Sequence, residues 1–347
     1  MEASLNHISR RKAFISISDE LRSYLQHYRR LEALPALYKD LKSFANCYPL
    51  SDKRGRPTLW DTVVYERTLQ QELWPKLTSI YSLLKTGDLQ AVPHLYVERV
   101  DFCGFGNSKP LRIRVVNQYN DNYDHFYIKV ADASRIYGLE LEHLLSPNRI
   151  NYLVHQDTLI EEHIAGIPGD AFISEQHDRG DINRVRIAKE FVKFSERCFI
   201  RLLGDMRSYN YVVDMTPDFE ETQYRVRAID FDQQSYEGRC NLYRPQFYKE
   251  NLPVVNLCTK YLNFATAEQY QQEERSLIAR RFLAERPRLR MLFRAMRHNP
   301  AEPPEKVQQL RDELAEHHKS TAFNRCQSMG DLVETNIEIA LGRLLTT

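Results

Sequence analysis

The feature that most constrains the fold is a series of strand-length apolar segments between residues 95 and 164, closed by short turns and broken once by a helix. Tyr96-Val97-Glu98-Arg99-Val100, Leu111-Arg112-Ile113-Arg114-Val115-Val116 and His125-Phe126-Tyr127-Ile128-Lys129-Val130 alternate or run apolar at strand length. CGFGNSKP joins the first two and NQYNDNYD the next two, both as hairpin connections. A helix then starts near Asp132-Ala133-Ser134, and two further strands follow, Ile150 to Val154 and Thr158 to Ile164, ending at AGIPGD. This is a five-strand region with one inserted helix.

Elsewhere the texture is mainly helical. Residues 15 to 90 read as helices, with Leu21, Tyr24, Leu25 and Tyr28, then Leu69, Leu73, Leu77, Ile80, Tyr81 and Leu84, at helical spacing around a polar loop at Ser51 to Pro57. Asn183 to Leu203 is helical again. Tyr211 to Val213 and Tyr224 to Ile229 form two strands flanking the acidic turn TPDFEE. Beyond residue 250 the chain is mostly helical, interrupted at Pro300 to Pro304.

At 347 residues, 42% hydrophobic and 27% charged, the chain can bury a substantial core. A formal net charge of +1 gives no general case for nucleic acid or a membrane as partner. No segment is long and apolar enough to span a bilayer, and the N-terminus lacks an apolar stretch after its basic residues. The six cysteines show no C-x-x-C spacing, which fits a reducing compartment, and a cytoplasmic protein is expected. The sequence does not disclose the oligomeric state.

Two motifs carry chemistry. Leu202-Leu203-Gly204-Asp205-Met206-Arg207-Ser208-Tyr209-Asn210 sets an Asp and an Asn in one short polar segment before an apolar strand. Ala228-Ile229-Asp230-Phe231-Asp232 closes the next strand pair. Carboxylates at strand ends can line a cleft without being buried unpaired. Phosphoryl transfer asks for such groups, because it needs metal ions, in-line positioning and a group aimed at the attacking hydroxyl.

In their order and separation these motifs resemble the protein-kinase-like superfamily, in its aminoglycoside-phosphotransferase and choline-kinase branch. Members of that branch carry H-G-D-L-x-x-x-N and then a strand pair ending in I-D-[FW]-[DE]. The resemblance covers roughly residues 95 to 260. It implies an α+β, bilobal fold: a helical N-terminal extension (1–92), a small antiparallel β lobe with one helix (93–166), and a larger helical lobe (167–347). It implies ATP- and Mg²⁺-dependent phosphoryl transfer to a hydroxyl of an unidentified small molecule or protein. Asp205 would orient the acceptor, Asn210 and Asp230 would hold metal, and Asp232 would assist them.

Further residues follow from the same resemblance. Lys129 sits where a strand lysine holds nucleotide phosphates, partnered by a glutamate of the next helix. Glu140 and Glu142 compete for that role, and a helical wheel favours Glu140, which borders Tyr137, Leu141, Leu144 and Leu145, while Glu142 points away. A lysine that protects an edge strand is the plainer reading of Lys129. Gly104 and Gly106 would admit phosphate to backbone N–H groups, or simply form a hairpin. Glu162, His163 and Ile164 resemble the lobe-joining segment that meets an adenine edge, with Gly166 and Gly169 allowing a change of direction.

One departure stands out: Leu203 occupies the place of the histidine that normally precedes Gly204-Asp205. It raises the alternative of a catalytically weak pseudoenzyme serving as a nucleotide- or partner-binding scaffold. The arginines between Arg275 and Arg297 are interleaved with apolar residues and read as an amphipathic surface helix rather than a nucleic-acid site. There is no G-x-x-x-x-G-K-[ST], G-x-S-x-G or H-E-x-x-H.

Overall fold

Alternation in the central strands sorts side chains onto two faces, and one of those faces builds the first core. The structure, a computed structural model, describes residues 12–52, 54–89, 92–105, 107–175, 180, 182–219, 222–299 and 303–346. It is mixed α+β, and the chain divides into two units.

The first unit comprises Leu25–Asp132 and Ile150–His163, with 12–17. Its strands are β1 (Asn46–Ser51), β2 (Pro57–Val64), β3 (Leu95–Phe102), β4 (Leu111–Asn117), β5 (Tyr123–Val130), β6 (Tyr152–His155) and β7 (Thr158–Glu162). Among the described residues they form one antiparallel sheet in the order β1-β2-β3-β4-β5-β7-β6. Ile113 and Val115 of β4, Phe126 and Ile128 of β5 and Ile160 of β7 point to one face. After α1 (Asp19–His27), which the division of the chain splits after Tyr24, the short α2 (Tyr38–Leu41) precedes α3 (Arg67–Thr86), whose Leu73, Leu77, Ile80 and Leu84 join the same core. Each such side chain contributes about 1.5–3 kcal/mol on burial.

The opposite face of the sheet carries Arg112, Arg114, Tyr127 and Lys129. It buries Asp101 completely between Arg112 at 2.8 Å and Arg99 at 3.1 Å, with the Thr62 hydroxyl donating at 2.8 Å.

Residues 15 to 90 are therefore not an all-helical extension. The stretch holds the β1–β2 hairpin, and the supposed polar loop at Ser51 to Pro57 is its turn, where Asp52 accepts from the Arg54 and Arg56 N–H groups at 2.8 and 2.9 Å. The Thr-Val-Val end of β2 has strand-type residues whose period is short. The flanking helices masked it.

The second unit comprises Ser18–Tyr24, Ala133–Arg149 and 164–346. It contains α4 (Ala133–Leu145), β8 (Ile167–Pro168), α5 (Gly169–Glu175), α6 (Arg184–Arg201), β9 (Tyr211–Pro217), β10 (Thr222–Ala228), α7 (Leu252–Tyr261), α8 (Phe264–Ala284), α9 (Arg286–Arg297), α10 (Pro304–His318) and α11 (Met329–Leu341). The strands pair in the order β10-β9-β8. Helix α6 starts at Asn183, whose side chain accepts from the Arg186 N–H at 3.1 Å. Its Ile187, Phe191, Phe194 and Cys198 recur at helical spacing and are buried.

Helix α4 is buried on nearly all sides, so the wheel's polar direction does not lead to water. Glu142, placed there, is buried and bonds Arg201 of α6. Glu140 is fully buried too, and accepts from Arg288 of α9 at 2.7 Å and from the Tyr24 hydroxyl. The arginine stretch is two helices, α8 and α9, rather than one. Its Ile278, Phe282, Leu289, Leu292 and Phe293 are buried.

Candidate functional site

The Asp205 loop is shaped by how α6 ends. Leu202 takes the left-handed conformation (φ 53°, ψ 47°), and its N–H returns to the Cys198 and Phe199 carbonyls. Leu203 forms an antiparallel bridge with Gln234, and the Gly204 N–H donates to the Gln233 carbonyl at 3.1 Å. Asp205 is itself left-handed (φ 55°), and its N–H donates to the Tyr248 hydroxyl oxygen at 3.0 Å. Asp tolerates this conformation better than most residues.

The Asp205 carboxylate is half-buried and held on both oxygens. The Arg207 Nε donates to Oδ1 at 2.8 Å, and the Asn210 Nδ2 donates to Oδ2 at 3.2 Å and to the Asp205 carbonyl at 2.7 Å. Arg207 also donates to Glu250 at 2.8 Å. Burial raises the Asp205 carboxyl above its ordinary value, against the lowering effect of Arg207 and Asn210.

The second motif is brought in by the sheet. Tyr211 of β9 pairs with Ala228 of β10, and one step beyond, the Ile229 N–H donates to the Asn210 carbonyl at 3.0 Å. Asp230 and Asp232 follow directly. The Tyr209 phenol is raised by burial and feels both Asp205 and Asp230, so the two motifs share one electrostatic environment.

Between Asp230 and Asp232 lies Arg135 of α4. Its Nη1 donates to an oxygen of each carboxylate at 2.8 Å, and its side chain is 2% exposed. The Asp232 N–H donates to the Asp230 oxygen that Arg135 also uses, at 3.0 Å. Among the described residues no three His, Cys, Asp or Glu side chains are grouped to hold a metal ion. Asp230 and Asp232, as folded, do not fit a resident Mg²⁺: the Arg135 guanidinium is held between them.

In the first unit, Lys129 is buried and pairs with Glu161 of β7 at 2.7 Å. β5 lies between β4 and β7, so Lys129 is not an edge-strand lysine. The glutamate beside it comes from the neighbouring strand, whereas Glu140 is engaged by Arg288 and Tyr24. Gly104 lies in the β3–β4 connection, and Gly106 is outside the described residues. The first unit ends at His163 and the second resumes at Ile164, within the segment expected to join two lobes. The Glu162 N–H donates to the Asn151 carbonyl at 3.1 Å, and His163 Nδ1 meets the Tyr127 hydroxyl at 3.0 Å.

No protein-family model matches the chain, and no curated protein matches it.

Sequence reasoning overlooked Arg135, Arg207, Glu161 and Gln234. Arg207 lies inside the quoted motif, two residues after Asp205, and its charge was the available signal. The Gln234 amide donates to the Arg201 carbonyl at 2.6 Å, tying α6 to the acidic segment. Arg135 and Asp230 are 95 residues apart, and no local pattern links them. No helix among the described residues is long and apolar enough to cross a membrane.

Proposed function

We propose that the second unit carries a phosphoryl-transfer site acting on a hydroxyl, with ATP as donor. The observation that carries this reading is the left-handed turn that holds the Asp205 carboxylate half-buried between Arg207 and Asn210. In the reaction the acceptor oxygen forms a bond to the γ-phosphorus, the bond to the bridging oxygen breaks, and ADP leaves. The hydroxyl proton passes to Asp205, whose raised proton affinity suits it to receive one. Arg207 places charged donors beside that carboxylate, where a transferring phosphoryl group gathers negative charge.

Three further observations support a kinase-like fold as the frame. β3, β4 and β5, then α4, then β6 and β7 follow one another as the resemblance implies, and these five strands are contiguous in the sheet. The units divide at His163. Gln234 supplies a polar tie beside Leu203. The same resemblance assigns nucleotide phosphates to Lys129.

One observation favours the second reading, a nucleotide- or partner-binding scaffold with little turnover: Arg135 already bridges the Asp230–Asp232 pair. The deciding experiment measures ATP-dependent phosphorylation over a panel of hydroxyl acceptors, with the ATP-induced shift in melting temperature recorded alongside. Phosphoryl transfer should fall about 10²–10⁴-fold in Asp205→Asn. ATP at about 100 times its Kd should stabilise both proteins by roughly 2.7 kcal/mol. Stabilisation without Asp205-dependent transfer leaves the nucleotide-binding scaffold; neither effect removes transfer and nucleotide binding and leaves a scaffold for a partner.

A further inference from the structure

We infer that Arg135 is the resident cation of the Asp230–Asp232 pair, so that this pair holds a guanidinium in place of a divalent metal ion. The inference does not depend on phosphoryl transfer. It concerns what the carboxylates bind, in an enzyme or a scaffold alike.

The geometry makes Arg135 part of the fold rather than a side chain that happens to lie nearby. Three positions on one side of α4 hold the acidic segment. The Ser134 hydroxyl donates to the Asp232 and Gln234 carbonyls at 3.1 and 2.9 Å. Arg135 donates to Asp230 and Asp232, and its second terminal nitrogen lies 3.4 Å from the Ile229 carbonyl. Gly138, one turn on, lets the helix approach so closely that a Cβ there would lie 2.9 Å from the Phe231 Cβ and 3.2 Å from its carbonyl oxygen.

Charge and coordination then favour the arginine. Its bonds to two carboxylates are charge-assisted, and a guanidinium matches carboxylate geometry well. A Mg²⁺ requires near-octahedral oxygens at about 2.1 Å and sheds water reluctantly. Bound by these same oxygens, it would stand against a buried positive charge that cannot withdraw to water. Arg135 is thus a positioning residue: it fixes the two carboxylates and excludes a competing cation.

The test uses the full chain and Mn²⁺, whose spin-resonance signal is lost on binding, with and without a non-hydrolysable ATP analogue. In wild type the Mn²⁺ bound should be the same as in Asp230→Asn and Asp232→Asn. Arg135→Met removes the guanidinium shared by the two carboxylates and should gain saturable Mn²⁺ binding and a melting temperature raised by Mg²⁺ alone. Adding Asp230→Asn to it should abolish both gains, and Arg135→Lys, which keeps a charge, should show neither. Mn²⁺ uptake by wild type that Asp230→Asn or Asp232→Asn removes, with or without the nucleotide analogue, would overturn the inference. If Arg135→Met does not fold, that wild-type comparison decides alone.

Discussion

Asp205 is costly to ionise where it stands, because burial outweighs the help of Arg207 and Asn210. A carboxyl whose folded proton affinity is raised contributes stability that is present below its unfolded pKa and lost as pH rises through the folded value. Asp205→Asn, which keeps a residue tolerant of the left-handed turn, should therefore leave neutral-pH stability unchanged or slightly higher in urea unfolding, even as transfer is lost. Rate should rise with pH through a value above the ordinary 3.8 of a free carboxyl and then level off. Glu142 shows the opposite balance. Burial alone would raise it, but Arg201 beside it, with Ser146 and Arg197, holds it low. Its stabilisation is present above the usual carboxylate range and is lost as pH falls through the folded value. Arg201→Met strands a buried carboxylate and should cost about 3–5 kcal/mol, whereas Arg201→Met with Glu142→Leu should recover most of that loss. Urea unfolding of the two proteins distinguishes a pair kept for stability from one kept to fix the α4–α6 contact. At this scale the closeness of Asp205 and Asn210 was legible because both lie in one short motif. The bonds of Arg135 to Asp230 and of Arg207 to Glu250 were not, because those partners come from distant parts of the chain.

The elements differ in how far their residues announce them. The strands of the central block were legible from alternation, because one face is buried and the other carries Arg112, Arg114 and Lys129. α6 was legible from its helical pattern over Asn183 to Leu203, and the structure adds the Asn183 cap. The β1–β2 hairpin was missed: β1 is exposed along almost its whole length, so no burial pattern separates its two faces. α4 misled in a different way. A wheel assumes one wet side, and this helix has almost none, so Glu140 and Glu142 are both buried against arginines of other helices. Its Gly138 marks the closest approach to the acidic segment. Gly138→Ala should destabilise by about 1–3 kcal/mol through overpacking against Phe231, even though alanine regains roughly 1 kcal/mol of helix propensity. A Gly138→Ala protein as stable as wild type in urea would show that α4 can move away from Phe231 at little cost. The arginines of α8 and α9 are partly structural: Arg288 serves Glu140, Arg275 serves Glu196, and Arg297 serves Glu334.

Across the whole molecule, near-neutral charge hides local electrostatic imbalance, and acid should expose it. His125 of β5 is pushed down to about 4 by burial first, then by Arg112, His163 and Arg114. Its Nε2 is buried without a hydrogen-bond partner among the described residues. A histidine depressed in the folded state contributes stability that is present above its unfolded pKa and lost as pH falls through the folded one. The window here runs from 6.5 down to about 4. Allowing for the partial exposure of the ring, the loss should be about 2 kcal/mol, and His125→Gln should flatten it in urea titrations across that range. An unchanged slope would mean that the ring can protonate in place. The sequence by itself determined where strands β3 to β7 lie, that a mainly helical region follows, and that two carboxylate motifs sit at strand ends, because period, capping and turn chemistry act over a few residues. Only the tertiary structure decided which charges meet. Lys129 pairs with Glu161 across the sheet, and Glu140 with Arg288. Arg135 comes to lie between Asp230 and Asp232, because a buried charge takes whichever opposite charge the packing brings within reach, at any separation along the chain.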